Sequence, residues 1–162
     1  MELLRLLEDY LKLLKGIFKD RLVSLCLFGS VVRGEYGEGS DIDLLVVVKN
    51  LPVDVGSRIK ITVPLKLKLK SFESYRKVKE ANLPTLISEV ILTPEEVKKH
   101  PPILLDLTQE GLILYDQENF LKNELEVLKA KLKELGARRV KGRGGWYWIL
   151  KPDAKLGDVV KI

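Results

Sequence analysis

Two apolar runs, Leu22–Phe28 and Ile42–Val48, constrain this chain more than anything else in it. Each has strand length and strand composition, and each is bounded by turn residues. The first ends in Gly29-Ser30, the loop that follows carries Gly34, Gly37 and Gly39, and Asp41-Ile42-Asp43 leads into the second. Successive side chains on a strand point to opposite faces. Asp41 and Asp43 are therefore expected to face one way, and Ile42 to face the core.

Two carboxylates on one face at the start of a buried strand are costly unless something neutralises them. Mg²⁺ does this well, because it takes oxygen ligands, keeps several waters and is often shared between carboxylates and substrate phosphates. The Gly-Ser turn supplies the other half of such a site. If Ser30 begins a short helix through Val31, Val32 and Arg33, its hydroxyl and the backbone N–H groups there form an anion cradle. Gly29 lets the backbone approach a phosphate closely. Metal carboxylates facing a phosphate cradle point to a nucleoside triphosphate. The plainer alternative is a surface hairpin with two solvated aspartates.

Gly29-Ser30, then ten residues, then Asp41-x-Asp43 resembles the signature of the DNA polymerase beta-like nucleotidyltransferase superfamily. Arg33-Gly34-Glu35 and Ser40 also fit, and the likeness is to the small stand-alone members of archaea and bacteria. It is strong over residues 22–50 and runs on more weakly to Thr93-Pro94-Glu95-Glu96.

The resemblance implies an α/β (α+β) fold, a small mixed β-sheet packed by helices in a palm-like arrangement. Residues 1–100 would form the core, and residues 101–162 a C-terminal extension of strand, helix and aromatic, basic tail. It implies two-metal transfer of a nucleoside monophosphate, AMP from ATP or the equivalent from another triphosphate, to an acceptor hydroxyl with Mg²⁺ or Mn²⁺. Asp41 and Asp43 would be the metal-binding catalytic pair. Gly29, Ser30, Arg33 and Ser40 would hold the nucleotide, although Arg33 reads equally well as a solvated helix residue. A third carboxylate is expected on the strand Leu86–Leu92. Glu89 is the only acid there and takes that role, while Ser88 stands where the spacing to Thr93-Pro94-Glu95 leads one to expect an aspartate.

Composition sets the outer bounds. A chain of 162 residues makes one domain, or one with an appendage, and 46% hydrophobic residues can build its core. There is no apolar run of about 18 residues, so no membrane span is expected. Met1-Glu2-Leu3-Leu4-Arg5 opens an amphipathic pattern, not a signal peptide. The single cysteine, Cys26, reads as inert core, and a cytoplasmic setting is the default.

The net charge of +5 is concentrated in two stretches. Residues 58–80 read as a solvated helix face. The second stretch, residues 131–151, ends in Gly142-Arg143-Gly144-Gly145 and the aromatic run Trp146-Tyr147-Trp148. Its aromatics could stack bases beside the arginines, or form a strand that clamps the tail onto the domain or onto a second subunit.

Helical spacing of Leu3, Leu6, Leu7, Tyr10, Leu13, Leu14 and Phe18 predicts an amphipathic helix over residues 2–19. Residues 55–81 carry two patterns at once. Ile59, Ile61, Val63, Leu65, Leu67 and Leu69 alternate as in a strand, while Val55, Ile59, Val63 and Leu67 recur at i, i+4, and the resemblance favours helix. Thr93, Pro94 and Glu96 form a capping box that starts a helix, and His100 in its last turn reads as structural. A further helical turn over Ile103–Leu107, a strand over Leu112–Asp116 and a helix over Glu118–Leu135 follow.

Three readings of function result. The first is a Mg²⁺-dependent nucleotidyltransferase whose acceptor can be a protein hydroxyl. The second is a catalytically weak, antitoxin-like nucleotide-binding partner protein. The third is an RNA-binding module that uses the tail. A homo-oligomer is compatible with all three.

Overall fold

The computed structural model describes residues 2–37 and 39–162. A four-stranded mixed sheet lies between two layers of helices. Its strands are β1 (Leu22–Phe28), β2 (Ile42–Val48), β3 (Ile87–Leu92) and β4 (Leu112–Asp116), in the order β3-β2-β1-β4. β1 runs antiparallel to β2 and to β4, while β2 and β3 are parallel. Residues 101–162 therefore contribute a strand to the central sheet as well as the elements that follow it.

Alternation in β2 divides the core in two. Ile42, Leu44, Val46 and Val48 pack against α1 (Glu2–Phe18), α3 (Val55–Leu69) and α4 (Glu73–Glu80). Leu45 and Val47 face the other way, onto α5 (Pro94–Lys98), α6 (Ile103–Glu110) and α7 (Phe120–Leu135). The burial of every apolar residue of β2 follows from this two-sided cover. α1 buries Leu3, Leu6, Leu7, Tyr10, Leu14 and Phe18 of the stripe its sequence predicts, and Leu13 is half-buried against the same core.

α3 is a helix through Pro64, but not with the expected face inward. Its buried positions are Arg58, Thr62, Leu65 and Leu69, and Val55, Ile59, Val63 and Leu67 are exposed. Arg58 decides this rotation. Its guanidinium donates to the carbonyls of Pro52 and Ile91 and pairs with Glu96 at 2.7 Å, tying α3 to β3 and α5. A basic residue placed by sequence on a solvated face is thus part of the interior, with its polar atoms satisfied.

Local signals set the remaining boundaries. Thr93 and Glu96 close the capping box of α5. Asp116 accepts the N–H groups of Leu121 and Lys122 at the start of α7 and the hydroxyl of Ser24 in β1, joining strand to helix. α7 ends at Gly136 in the left-handed conformation that glycine adopts without strain. His100 is buried between Glu124 and the backbone carbonyl of Ile162. The tail forms a hairpin, β5 (Arg138–Gly142) with β6 (Gly145–Ile149). Trp148 packs into the second core and donates from Nε1 to Asp106, so it clamps the hairpin to α6.

Candidate nucleotide and cation site

The site lies where β1 ends and β2 begins. Gly29 leaves β1 with φ +80 and ψ −157, a region essentially reserved for glycine, and α2 (Ser30–Arg33) follows at once. Phe28 pairs with Asp43, which brings the carboxylate over the turn. A Cβ on Gly29 would overlap Oδ2 of Asp43 and lie 3.1 Å from its Cγ, so glycine is needed on grounds of space as well as conformation.

Asp41 and Asp43 are close enough to repel. Burial pushes the Asp43 carboxyl above its usual range, and Asp41 and then Glu110 push it the same way, against an opposing pull from Arg33. Asp41 also borders an open cleft of about 640 Å³, whose lining includes Gly37, Ser40, Lys79, Asn82 and Leu86. Ser40 fixes the rim of that cleft, because its hydroxyl accepts the N–H of Gly37.

Glu89 does not join the pair. In the parallel β2–β3 ladder Asp43 is paired with Ser88, and Glu89 with Leu44. Residues paired across a ladder share a face, so Glu89 points to the side away from Asp43. It is buried there, its side chain 1% exposed, and accepts hydrogen bonds from Tyr10, Thr62 and Lys66. The expected catalytic and metal-binding role of Glu89 is therefore corrected: it anchors β3 to α1 and α3.

The donor set that remains suits a hard cation. Two neighbouring carboxylates, one of them partly buried and repelled by the other, are relieved by Mg²⁺ or Mn²⁺. Among the described residues no three metal-type side chains gather, so a cation held by Asp41 and Asp43 would complete its shell with substrate oxygens and water.

Two further residues belong to the site and were not singled out by sequence. Glu110 closes α6, and its carboxylate accepts the N–H of Gly29 at 3.0 Å. Arg33 donates to both of its oxygens, at 2.9 and 3.0 Å, and Arg139 of β5 to one of them at 2.9 Å. Arg33 also pairs with Glu35, so it is engaged with acids on two sides and is not a freely solvated helix residue. The basic tail gave a general signal for Arg139, an affinity for anions without a target. For Glu110 there was no such signal, because the helical turn expected from sequence ended at Leu107 and the structure carries the helix on to Glu110.

The chain is similar in sequence to known nucleotidyltransferases. Residues 10–140 match the family described as Nucleotidyltransferase domain. A protein of Methanocaldococcus jannaschii named "Putative protein adenylyltransferase" is 34% identical over 132 residues, which cover 80% of this chain and 83% of that one. A second protein of that name from the same organism is 42% identical over 52 residues, 32% of this chain and 52% of that one. Among solved structures, a chain from a toxin-antitoxin complex with AMP-PNP aligns with a TM-score of 0.49 at 16% identity, covering 80% of this chain and 92% of that one. Among the described residues no helix is long and apolar enough to cross a membrane.

Proposed function

Because this chain belongs to the nucleotidyltransferase domain family, we propose that it binds a nucleoside triphosphate with a divalent cation at the β1–β2 junction and transfers a nucleotidyl group, AMP from ATP, to an acceptor hydroxyl. The observation that carries this reading is the seating of Asp43 on the Gly29 turn. It sets the cation-binding carboxylates directly against the donors that would take the phosphates.

In this reading the N–H of Gly29, the opening of α2 at Ser30 and the Arg33 guanidinium hold the terminal phosphates. Asp41 and Asp43 hold the cation, which neutralises phosphate charge and lowers the pKa of the acceptor hydroxyl. The acceptor oxygen forms the new bond to the α-phosphorus, the bond from that phosphorus to the pyrophosphate breaks, and the hydroxyl proton passes to solvent. The cleft beside Asp41 opens to the surface and gives an acceptor group a way in. A protein hydroxyl fits this opening, and the relatives' name supports the same class of acceptor.

A second reading is favoured by one observation. Ser88, not a carboxylate, is the β3 residue that shares a face with Asp43. A site with only two strand-borne carboxylates is suited to binding a nucleotide with slow transfer, as in a partner protein of the antitoxin-like kind. Incubation with α-phosphate-labelled ATP, Mg²⁺ and cell extract separates the two. Label fixed to an acceptor, and lost with Asp43→Asn, supports the transferase; nucleotide binding without any labelled acceptor supports the second reading.

A further inference from the structure

The Glu110 carboxylate is held as a substrate phosphate would be. One backbone N–H and two guanidinium groups converge on it, from Gly29, Arg33 and Arg139. Its side chain is 7% exposed and that of Arg139 is 11% exposed. These donors recognise any compact oxyanion, and a pair of arginines is well matched to phosphate. The position itself is unfavourable for an acid. Glu110 is the last residue of α6, at the negative end of the helix. Arg139 is also incompletely satisfied. Its Nε is buried without a hydrogen-bond partner, and Asp106 lies 3.4 Å away without the alignment of one.

We infer that Arg139 is a further triphosphate-binding residue, and that Glu110 is the resident anion of its site, displaced when the substrate's phosphates enter. The inference rests on the reading of the Gly29 turn as a phosphate cradle. Departure of Glu110 frees the Gly29 N–H and both guanidinium groups, and removes a negative charge from beside Asp43 as the cation arrives. The C-terminal hairpin thereby becomes a wall of the nucleotide site, with Trp148 fixing β6 to α6 and Trp146 stacked on Arg139 at 4.6 Å.

Calorimetric titration of the full chain with Mg²⁺ and inorganic tripolyphosphate tests this, with AMP as the ligand that lacks distal phosphates. Glu110→Gln removes the competing charge and should bind tripolyphosphate about tenfold more tightly than wild type. Adding Arg139→Gln to it should abolish that gain, and neither change should alter AMP binding. Thermal melting confirms that each variant is folded; Glu110→Ala serves in place of Glu110→Gln should the amide fail to fold. Unchanged or weaker binding by the Glu110 variant would overturn the inference, since Glu110 would then be a scaffold residue or a cation ligand. A double variant that keeps the tighter binding also overturns it, since Arg139 would then contribute nothing to holding the phosphates. Absence of tripolyphosphate and ATP binding in wild type would overturn both this inference and the cradle reading, whereas wild-type binding with no Glu110 effect overturns the inference alone.

Discussion

Gly29 and Asp43 are in contact across the β1–β2 junction, with the carboxylate occupying the space that a side chain at position 29 would need. Gly29→Ala therefore meets both a backbone conformation closed to alanine and a clash with a carboxylate. The expected cost is about 1–3 kcal/mol of stability, with Asp43 displaced from the turn. Thermal melting and Mg²⁺-ATP titration check the two effects, and nucleotide binding should fall by more than the loss of stability alone explains.

Asp43 has a raised carboxyl pKa, from burial first and from Asp41 next. In the pH range between its unfolded and folded values the folded chain binds more protons than the unfolded chain. Stability without metal consequently falls as pH rises through that range. Asp43→Asn removes this penalty. The variant should melt higher than wild type at pH 7 in EDTA, and the difference should shrink as the pH is lowered below the ordinary aspartate range. Melting curves at pH 7 and near pH 3.5 give the comparison.

Glu89 should matter to folding and not to the nucleotide. Glu89→Ala leaves the Tyr10 and Thr62 hydroxyls and the Lys66 ammonium without their shared acceptor. A loss of about 3 kcal/mol is expected, seen as a melting temperature lower by roughly 10 °C. Mg²⁺-ATP affinity of the folded variant should match wild type.

Ser88→Asp should add to the site what the strand lacks. The ladder places this residue on the Asp43 face, exposed at the sheet edge. A third carboxylate there should tighten Mn²⁺ binding in the presence of ATP and raise the rate of label transfer. Electron paramagnetic resonance of bound Mn²⁺ and the labelling assay read these two quantities.

Much of this molecule was legible before its structure. β1 and β2 run over the predicted residues because apolar runs with sharp turn residues at both ends leave few alternatives, and Thr93, Pro94 and Glu96 start α5 by a mechanism that is local. What escaped depends on register or on distant partners. A shift of one residue decides which of Ser88 and Glu89 shares a face with Asp43, and no local signal carries that choice. The face that α3 buries is set by Arg58 finding the carbonyls of Pro52 and Ile91 and the carboxylate of Glu96. The meeting of Arg33, Glu110 and Arg139 joins α2, α6 and β5, elements far apart in the chain.

The central claim is that Asp41 and Asp43 hold a divalent cation against a triphosphate seated on the Gly29 turn. Calorimetric titration of ATP into the full chain, with Mg²⁺ and with EDTA, tests it most directly when repeated on Asp41→Asn/Asp43→Asn. The account predicts binding in Mg²⁺ that weakens about tenfold or more in EDTA, a difference of roughly 1.4 kcal/mol, with the Mg²⁺-dependent gain lost in the double variant. Equal affinity with and without the cation, or a double variant that keeps the full Mg²⁺ response, would contradict it.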